Sequence, residues 1–287
     1  MSIGLPKENS LPFVKSWFKS SLEGISSSEA DNLFWWLAEE GLGYPRARIL
    51  AEGGQFRFNE GDLRNWVLWL KKLRAHWPVQ YILGHSWFCG LKLRVTPHTL
   101  IPRPETEELV AWTLELEKPG IRNSPRILDV GTGSGAIALA LKTAWPEATI
   151  AGLDISKEAL EVARWNAQAL GLDITFFQAD ILSESWPRHN WDILISNPPY
   201  VPISQRHLLE ARVRDHEPEL ALFVPDEDVL KFYRILLEAV QPGQVVYVEF
   251  GADQFPGLRD LAISYAAKDV EFKKDSQGKW RMARIQF

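Results

Sequence analysis

Arg126-Ile127-Leu128-Asp129-Val130-Gly131-Thr132-Gly133-Ser134-Gly135 runs from a short apolar strand into a glycine-rich turn, and residues 136–144 continue as a helix. Glycines at alternate positions let a backbone approach a ligand closely, and free N–H groups where the helix begins suit an anionic group. The spacing is Gly-x-Gly-x-Gly, not the Gly-x-Gly-x-x-Gly of dinucleotide sites. Tight turns need glycine for their own sake, so the loop acquires meaning from its surroundings.

Downstream, residues 149–153 read as a second strand ending in Asp154, about 20 residues past the loop, the offset at which an acid accepts from ribose hydroxyls. A helix over Lys157–Leu170 stops at Gly171. A third strand over residues 174–178 leads to Asp180, and a fourth, Ile193-Leu194-Ile195-Ser196, leads to Asn197. Strand alternating with helix predicts a parallel, doubly wound sheet, whose ligands bind at the carboxyl ends of the strands. One Asp after a strand is an ordinary turn former, but successive polar strand ends beside a glycine loop are better explained by a pocket. The fourth strand delivers Asn197-Pro198-Pro199-Tyr200, where two prolines end the ladder and hold the carbonyls of Asn197 and Pro198 in a fixed direction.

Upstream, residues 11–77 read as helical. Ser26-Ser27-Ser28-Glu29 has capping-box spacing, and Ala30, Leu33, Phe34 and Leu37 fall on one face until Gly41-Leu42-Gly43. Leu63, Trp66, Val67 and Leu70 repeat that pattern. Trp17, Trp35, Trp36, Trp66, Trp69 and Trp77 could form a base-stacking platform, but their helical spacing favours a core. The run Arg46, Arg48, Arg57, Arg64, Lys71, Lys72 and Arg74 reads as a solvated helix face rather than a docking patch for an acidic partner. Gly53-Gly54-Gln55 reads as a helix end. Residues 79–102, broken by Gly84, Gly90, Pro97 and Pro102, read as short extended pieces forming a linker hairpin.

The chain has 287 residues, 46% hydrophobic and 24% charged, which suits a globular protein of two domains. Its single cysteine excludes an internal disulfide, and its six scattered histidines show no ligand spacing, so no metal is expected. Without a signal-peptide pattern or an apolar run of membrane length, a cytoplasmic protein is expected. A net charge of −5 argues against a broad basic surface for nucleic acid.

Gly131 to Gly135, Asp154, Asp180 and Asn-Pro-Pro-Tyr, in this order, resemble a class I S-adenosylmethionine-dependent methyltransferase of the amino-group type. Residues 244–250 resemble its fifth strand, and residues 270–274 and 280–287 around Ser276-Gln277-Gly278 its closing antiparallel hairpin. The resemblance implies an α/β fold with a Rossmann-like, seven-stranded, mostly parallel sheet. At Asn-Pro-Pro-Tyr, the Asn197 side-chain oxygen and the Pro198 carbonyl could accept the two hydrogens of a planar NH2, aiming its nitrogen at a sulfonium methyl while Tyr200 packs against the flat group. Glutamine amides, adenine and cytosine all present such an NH2.

Pro78-Val79-Gln80-Tyr81-Ile82-Leu83-Gly84, Phe88-Cys89-Gly90-Leu91, Leu100-Ile101-Pro102-Arg103-Pro104-Glu105-Thr106-Glu107 and Glu217-Pro218 narrow the resemblance to the HemK/PrmC family. These are protein-glutamine methyltransferases acting on peptide-chain release factors. The family implies a substrate-docking helical domain (1–80), a β-hairpin linker (81–102) and a methyltransferase domain (103–287). It implies methylation of the glutamine in a Gly-Gly-Gln loop, with Asn197, Pro198, Pro199 and Tyr200 catalytic. S-adenosylmethionine would lie on Gly131, Thr132, Gly133, Ser134, Gly135, Asp154, Asp180, Ile181 and Asn197, and Arg103, Pro104 and Glu105 would line the mouth. The expected partners are release factors, with no membrane and no direct nucleic-acid substrate. Residues 224–228, Val-Pro-Asp-Glu-Asp, depart from the glycine-containing turn of many relatives. Rival readings are a ribosomal-protein glutamine methyltransferase, a DNA adenine-N6 methyltransferase, which needs a basic target-recognition region, and a non-catalytic nucleotide-binding scaffold, which leaves Asn197 to Tyr200 unexplained.

Overall fold

The computed structural model describes residues 3–117, 124–183, 186–187 and 190–287. It divides into two compact units, one formed by residues 1–84 with Ala211–His216 and the other by His85–Glu210 with Glu217–Phe287.

The first unit is helical: α1 (Leu11–Ser20), α2 (Ser27–Trp36) with a π-helical turn over Leu37–Gly41, α3 (Arg46–Glu52), α4 (Glu60–Arg74) and α5 (Val79–Leu83). Ser26 Oγ accepts from Glu29 N at 3.1 Å, capping α2 as its spacing predicts. Asn59 and Asp62 form a reciprocal capping box that starts α4. The centre is aromatic, with Phe34 and Trp66 stacked 4.6 Å apart and Phe18 and Phe58 edge-on to them. Trp35 and Trp66 are buried and Trp17, Trp36 and Trp69 pack partly buried against the same core, so no stacking platform forms from them. Trp77 instead lies 4.6 Å from the His216 ring. Three residues of the basic run form ion pairs within the unit, Arg48 with Glu52, Arg64 with Glu60 and Arg74 with Glu23. Gly53–Gln55 is a 3-10 turn ending α3.

One expectation needs correction. Residues 79–83 are helical rather than extended, started after Pro78 and ended by Gly84 in the left-handed region. One helical turn is too short to show a period. The two compact units part at Gly84, and the β-hairpin that follows lies in the second of them.

That hairpin is β1 (His85–Phe88) and β2 (Leu91–Arg94), turned by Cys89 and Gly90, both at positive φ. Then follow α6 (Pro104–Glu117), β3 (Arg126–Val130), α7 (Ala136–Ala144), β4 (Thr149–Asp154), α8 (Lys157–Leu170), β5 (Thr175–Gln178) and β6 (Ile193–Ser196). After β7 (Val201–Pro202), the single turn α9 (Ala211–Arg214) and β8 (Phe223–Val224) come α10 (Lys231–Ala239), β9 (Val245–Glu249), α11 (Phe255–Ser264), β10 (Asp269–Lys274) and β11 (Trp280–Gln286). The main sheet has seven strands in the order β10-β11-β9-β6-β3-β4-β5, parallel except at β11, which is antiparallel to both neighbours. The expected seven-stranded, mostly parallel sheet is thus present.

Alternate residues of the central strands enter opposite cores. Ile127, Ile193, Ile195, Val245 and Tyr247 join α6 and α7 residues, while Leu128, Leu194, Val246 and Val248 join α10 and α11 residues. Both faces are covered, which is why these strands read as continuous apolar runs. The departure at residues 224–228 takes the form of a 3-10 turn over Asp226–Asp228, where the Asp226 carboxylate accepts from Ser204 N and Oγ.

Gly152 in β4 lies opposite Asp129, and a Cβ there would come 2.7 Å from the Phe176 ring and 2.8 Å from Thr132 Oγ1. Only glycine admits both neighbours. Gly152→Ala is expected to lower stability by about 1–3 kcal/mol, read as a reduced urea midpoint at constant m-value. An unchanged midpoint would show that both neighbours yield without cost.

Candidate active site at the carboxyl edge of the sheet

The loop after β3 is held by β4. Gly131 N and Thr132 N both donate to Leu153 O, at 2.8 and 2.9 Å, Gly135 N donates to Thr132 O, and Gly133 N donates to Asp154 Oδ2 at 2.8 Å. Gly131, Gly133 and Gly135 all have positive φ, and Cβ atoms built on Gly131 and Gly133 would project into open space. Most loop N–H groups are therefore directed inward, which narrows the expected anion site. Among the described residues, Ser134 N, Ala136 N and Ile137 N are left without a protein acceptor at the start of α7. Asn166, almost fully buried on α8, secures the other side. Its Nδ2 donates to Ser134 O and Arg94 O, and its Oδ1 accepts from Arg94 N.

Asp129 was not singled out from the sequence, and the structure brings it to the centre. It has no solvent exposure. Its Oδ2 accepts from Thr132 Oγ1 at 2.6 Å and Ala138 N at 3.2 Å, while Oδ1 has no hydrogen-bond partner among the described residues. Burial pushes its carboxyl up to about 7 despite those two bonds. The signal available in the sequence was an acid between the apolar residues Ile127, Leu128 and Val130. Asp154, also raised by burial, accepts from Ser156 N at Oδ1 and from Gly133 N of the loop at Oδ2. Asp180 Oδ1 accepts from Leu182 N at 2.8 Å, a turn-forming bond, while Oδ2 accepts nothing among the described residues. Ile181 is half-buried against the α10–α11 core. Orphaned acid oxygens beside an open glycine cradle fit a cationic ligand.

Next to β3, Ser196 Oγ donates to Val130 O at 2.6 Å, tying the end of β6 to the root of the loop. The backbone then leaves the sheet at Asn197. Asn197 Nδ2 donates to Thr106 Oγ1 at 3.0 Å, and Thr106 Oγ1 donates to Glu249 Oε2 at 2.6 Å. The other oxygen of Glu249 accepts from Tyr200 Oη at 3.2 Å. Gln254 Nε2 donates to Tyr200 O at 3.0 Å, fixing the backbone there. Among the described residues, neither Asn197 Oδ1 nor the Pro198 carbonyl accepts a hydrogen bond. Burial raises Tyr200, and it also raises Glu249 against the opposing pull of Thr106 and Arg281. Glu249 ends the apolar run of β9 as Asp154 ends that of β4, a polar strand end visible in the sequence.

Arg103 is not a free cation. Its Nη2 lies 2.6 Å from Glu217 Oε1, and the buried Glu217 also accepts from Ile101 N. This pair holds the Ile101-Pro102-Arg103 turn that starts α6. Among the described residues no three His, Cys, Asp or Glu side chains cluster as metal ligands.

Residues 14–84 match the PrmC N-terminal domain and residues 109–214 the methyltransferase small domain. The release factor glutamine methyltransferase of Flavobacterium psychrophilum is 35% identical over 282 residues, covering 95% of this chain and 98% of that protein. The release factor glutamine methyltransferase of Bacteroides thetaiotaomicron is 43% identical over 216 residues, covering 74% and 76%. The hMettl16 catalytic domain, crystallised with a MAT2A 3'UTR hairpin, superposes with a TM-score of 0.56 at 13% identity, covering 75% of this chain and 81% of that one, a likeness of fold alone. With the methyltransferase sheet, the strand-end site and these relatives together, the chain belongs to the release factor glutamine methyltransferase family.

Proposed function

We propose that this protein transfers a methyl group from S-adenosylmethionine to the side-chain nitrogen of the glutamine in the Gly-Gly-Gln loop of peptide-chain release factors. The observation that carries the reading is the pair of open acceptors, Asn197 Oδ1 and the Pro198 carbonyl, directly after a strand tied to the glycine loop. A planar amide NH2 has two hydrogens and a nitrogen lone pair delocalised into its carbonyl. Two fixed acceptors satisfy both hydrogens, orient the nitrogen and stabilise the positive charge that grows on it as it attacks. Tyr200 and Pro199 would form the wall against which the flat group lies.

S-adenosylmethionine, when bound, supplies an electrophilic methyl on a sulfonium and leaves as S-adenosylhomocysteine. For this cation Gly131 to Gly135 would form the cradle, Asp129 would offer its unpaired carboxyl charge toward the ammonium, Asp154 would take the ribose hydroxyls, and Asp180 with Ile181 would lie beside the adenine. The helical unit is the docking module for the release factor. Among the described residues no helix is long and apolar enough to cross a membrane, and the reading places the enzyme in the cytoplasm, with protein rather than nucleic acid as its substrate.

With methyl-labelled cofactor, label is expected on the Gly-Gly-Gln peptide of a release factor, and Asn197→Ala is expected to lower kcat by about 10²–10³-fold. Label on duplex DNA or a ribosomal protein, with none on the release factor, overturns the assignment.

A second expectation concerns pH. The Asp129 carboxyl, pushed up to about 7, must lose its proton to pair with an ammonium. Affinity for S-adenosylhomocysteine should therefore rise from about pH 6 to about pH 8, with proton release seen by calorimetry in buffers of different ionisation enthalpy. Asp129→Asn should flatten that rise. A flat wild-type profile removes Asp129 from the cofactor site.

A further inference from the structure

The side-chain amide of Asn197 has two nearly isosteric orientations, and only one turns an acceptor toward an incoming NH2. The hydrogen inventory around it decides between them. Thr106 has one hydroxyl hydrogen. At 2.6 Å from its oxygen stands Glu249 Oε2, which as a carboxylate oxygen can only accept. The single hydrogen is thereby committed, and Thr106 presents a lone pair to Asn197. Only the NH2 of Asn197 can meet that lone pair, at 3.0 Å, and Oδ1 is forced to the other side.

We propose that Thr106 and Glu249 are positioning residues for methyl transfer: through the chain Glu249, Thr106, Asn197 they set the amide of Asn197 so that its oxygen, not its nitrogen, faces the substrate NH2. This rests on Asn197 being the acceptor for the glutamine amide. The same carboxylate receives Tyr200 Oη at 3.2 Å, so one buried group orients both ends of Asn-Pro-Pro-Tyr. Thr106 lies 91 residues from Asn197 and 143 from Glu249 in the chain, and all three meet in the interior of the second unit.

The chain has a polarity that depends on charge. Protonated at Oε2, Glu249 would donate to Thr106, releasing the hydroxyl hydrogen toward Asn197 and favouring the flipped amide. The groups facing Glu249 are Thr106 and Glu105 on α6, Tyr200 after β6, and Arg281 on β11. Tyr233 on α10 donates to its main-chain oxygen at 3.2 Å. Arg281, itself paired with the buried Asp275 at 3.4 Å, favours the ionised carboxylate, whereas burial and Glu105 oppose it. Burial dominates, so the polarity is lost at a pH above the ordinary glutamate range as acid is added.

The test compares wild type, Thr106→Val, Thr106→Ser and Glu249→Gln on a release factor, with thermal midpoints and calorimetric S-adenosylhomocysteine affinity measured alongside. Thr106→Val keeps the shape and removes the hydroxyl. It is expected to lose about 10- to 100-fold in kcat with cofactor affinity held within about twofold, while Thr106→Ser recovers most of the rate. Glu249→Gln is expected to lower kcat and to abolish the acid limb of the kcat–pH profile. Wild-type kcat in Thr106→Val, or an acid limb unchanged in Glu249→Gln, overturns the proposal. Should Thr106→Val fail to fold, the pH profile of Glu249→Gln decides alone. Absence of transfer by the wild type itself would instead overturn the proposed function, and this inference with it.

Discussion

One backbone oxygen, that of Leu153, accepts from both Gly131 and Thr132 and thereby fixes the loop on which the site is built. Two N–H groups converge on one carbonyl only if the chain turns sharply past the end of β3, and the left-handed conformations of Gly131, Gly133 and Gly135 provide that turn. The turn also requires β4 to lie directly beside β3. Gly152 permits this, because a side chain there would strike both Phe176 and Thr132. Sheet register and loop shape are thus one constraint seen from two sides.

The same edge gathers buried acids. Asp129, Asp154 and Glu249 all end in or beside parallel strands, and burial raises each of them. A carboxyl held above its unfolded value binds its proton more tightly in the folded state, so ionising it costs stability as pH rises from near 4 toward the folded value. For Asp129 that window runs from the ordinary aspartate range to about 7. A cation at this edge would lower the cost, whereas an anion would raise it. The site is electrostatically unsuited to binding a bare phosphate, although glycine loops commonly do so.

The order of strands and helices was legible because each central strand is buried on both faces and each helix end has a recognisable stop, such as Gly171 or the Ser26 cap. Asn197, Asp154 and the glycine loop were legible for a related reason, since polar residues at strand ends interrupt apolar runs. What escaped was either too short or too distant in sequence. The single turn Val79–Leu83 has no measurable period. Asp129 lies inside its strand rather than at the strand's end, and the Thr106–Glu249 bond joins residues 143 positions apart. A pairing of that kind leaves no local trace in the sequence, because each partner alone reads as a helix-start residue or a strand-end acid.

The separation of these partners also says how the site can form. Thr106 starts α6, Asn197 follows β6 and Glu249 ends β9. β6 and β9 are hydrogen-bonded neighbours, so the distance from Asn197 to Glu249 is set by sheet register, with Ser196 opposite Val248. α6 is the remaining variable, and its first turn is anchored independently, since Glu217 holds Ile101 N and Arg103. Thr106 is therefore delivered between two fixed strand ends by an anchor that shares no atom with the relay. Loss of the Thr106 hydroxyl alone removes the link between Glu249 and Asn197 without touching the strands that carry them. The hydroxyl is then the point at which correct folding of the helix is converted into the correct orientation of an amide.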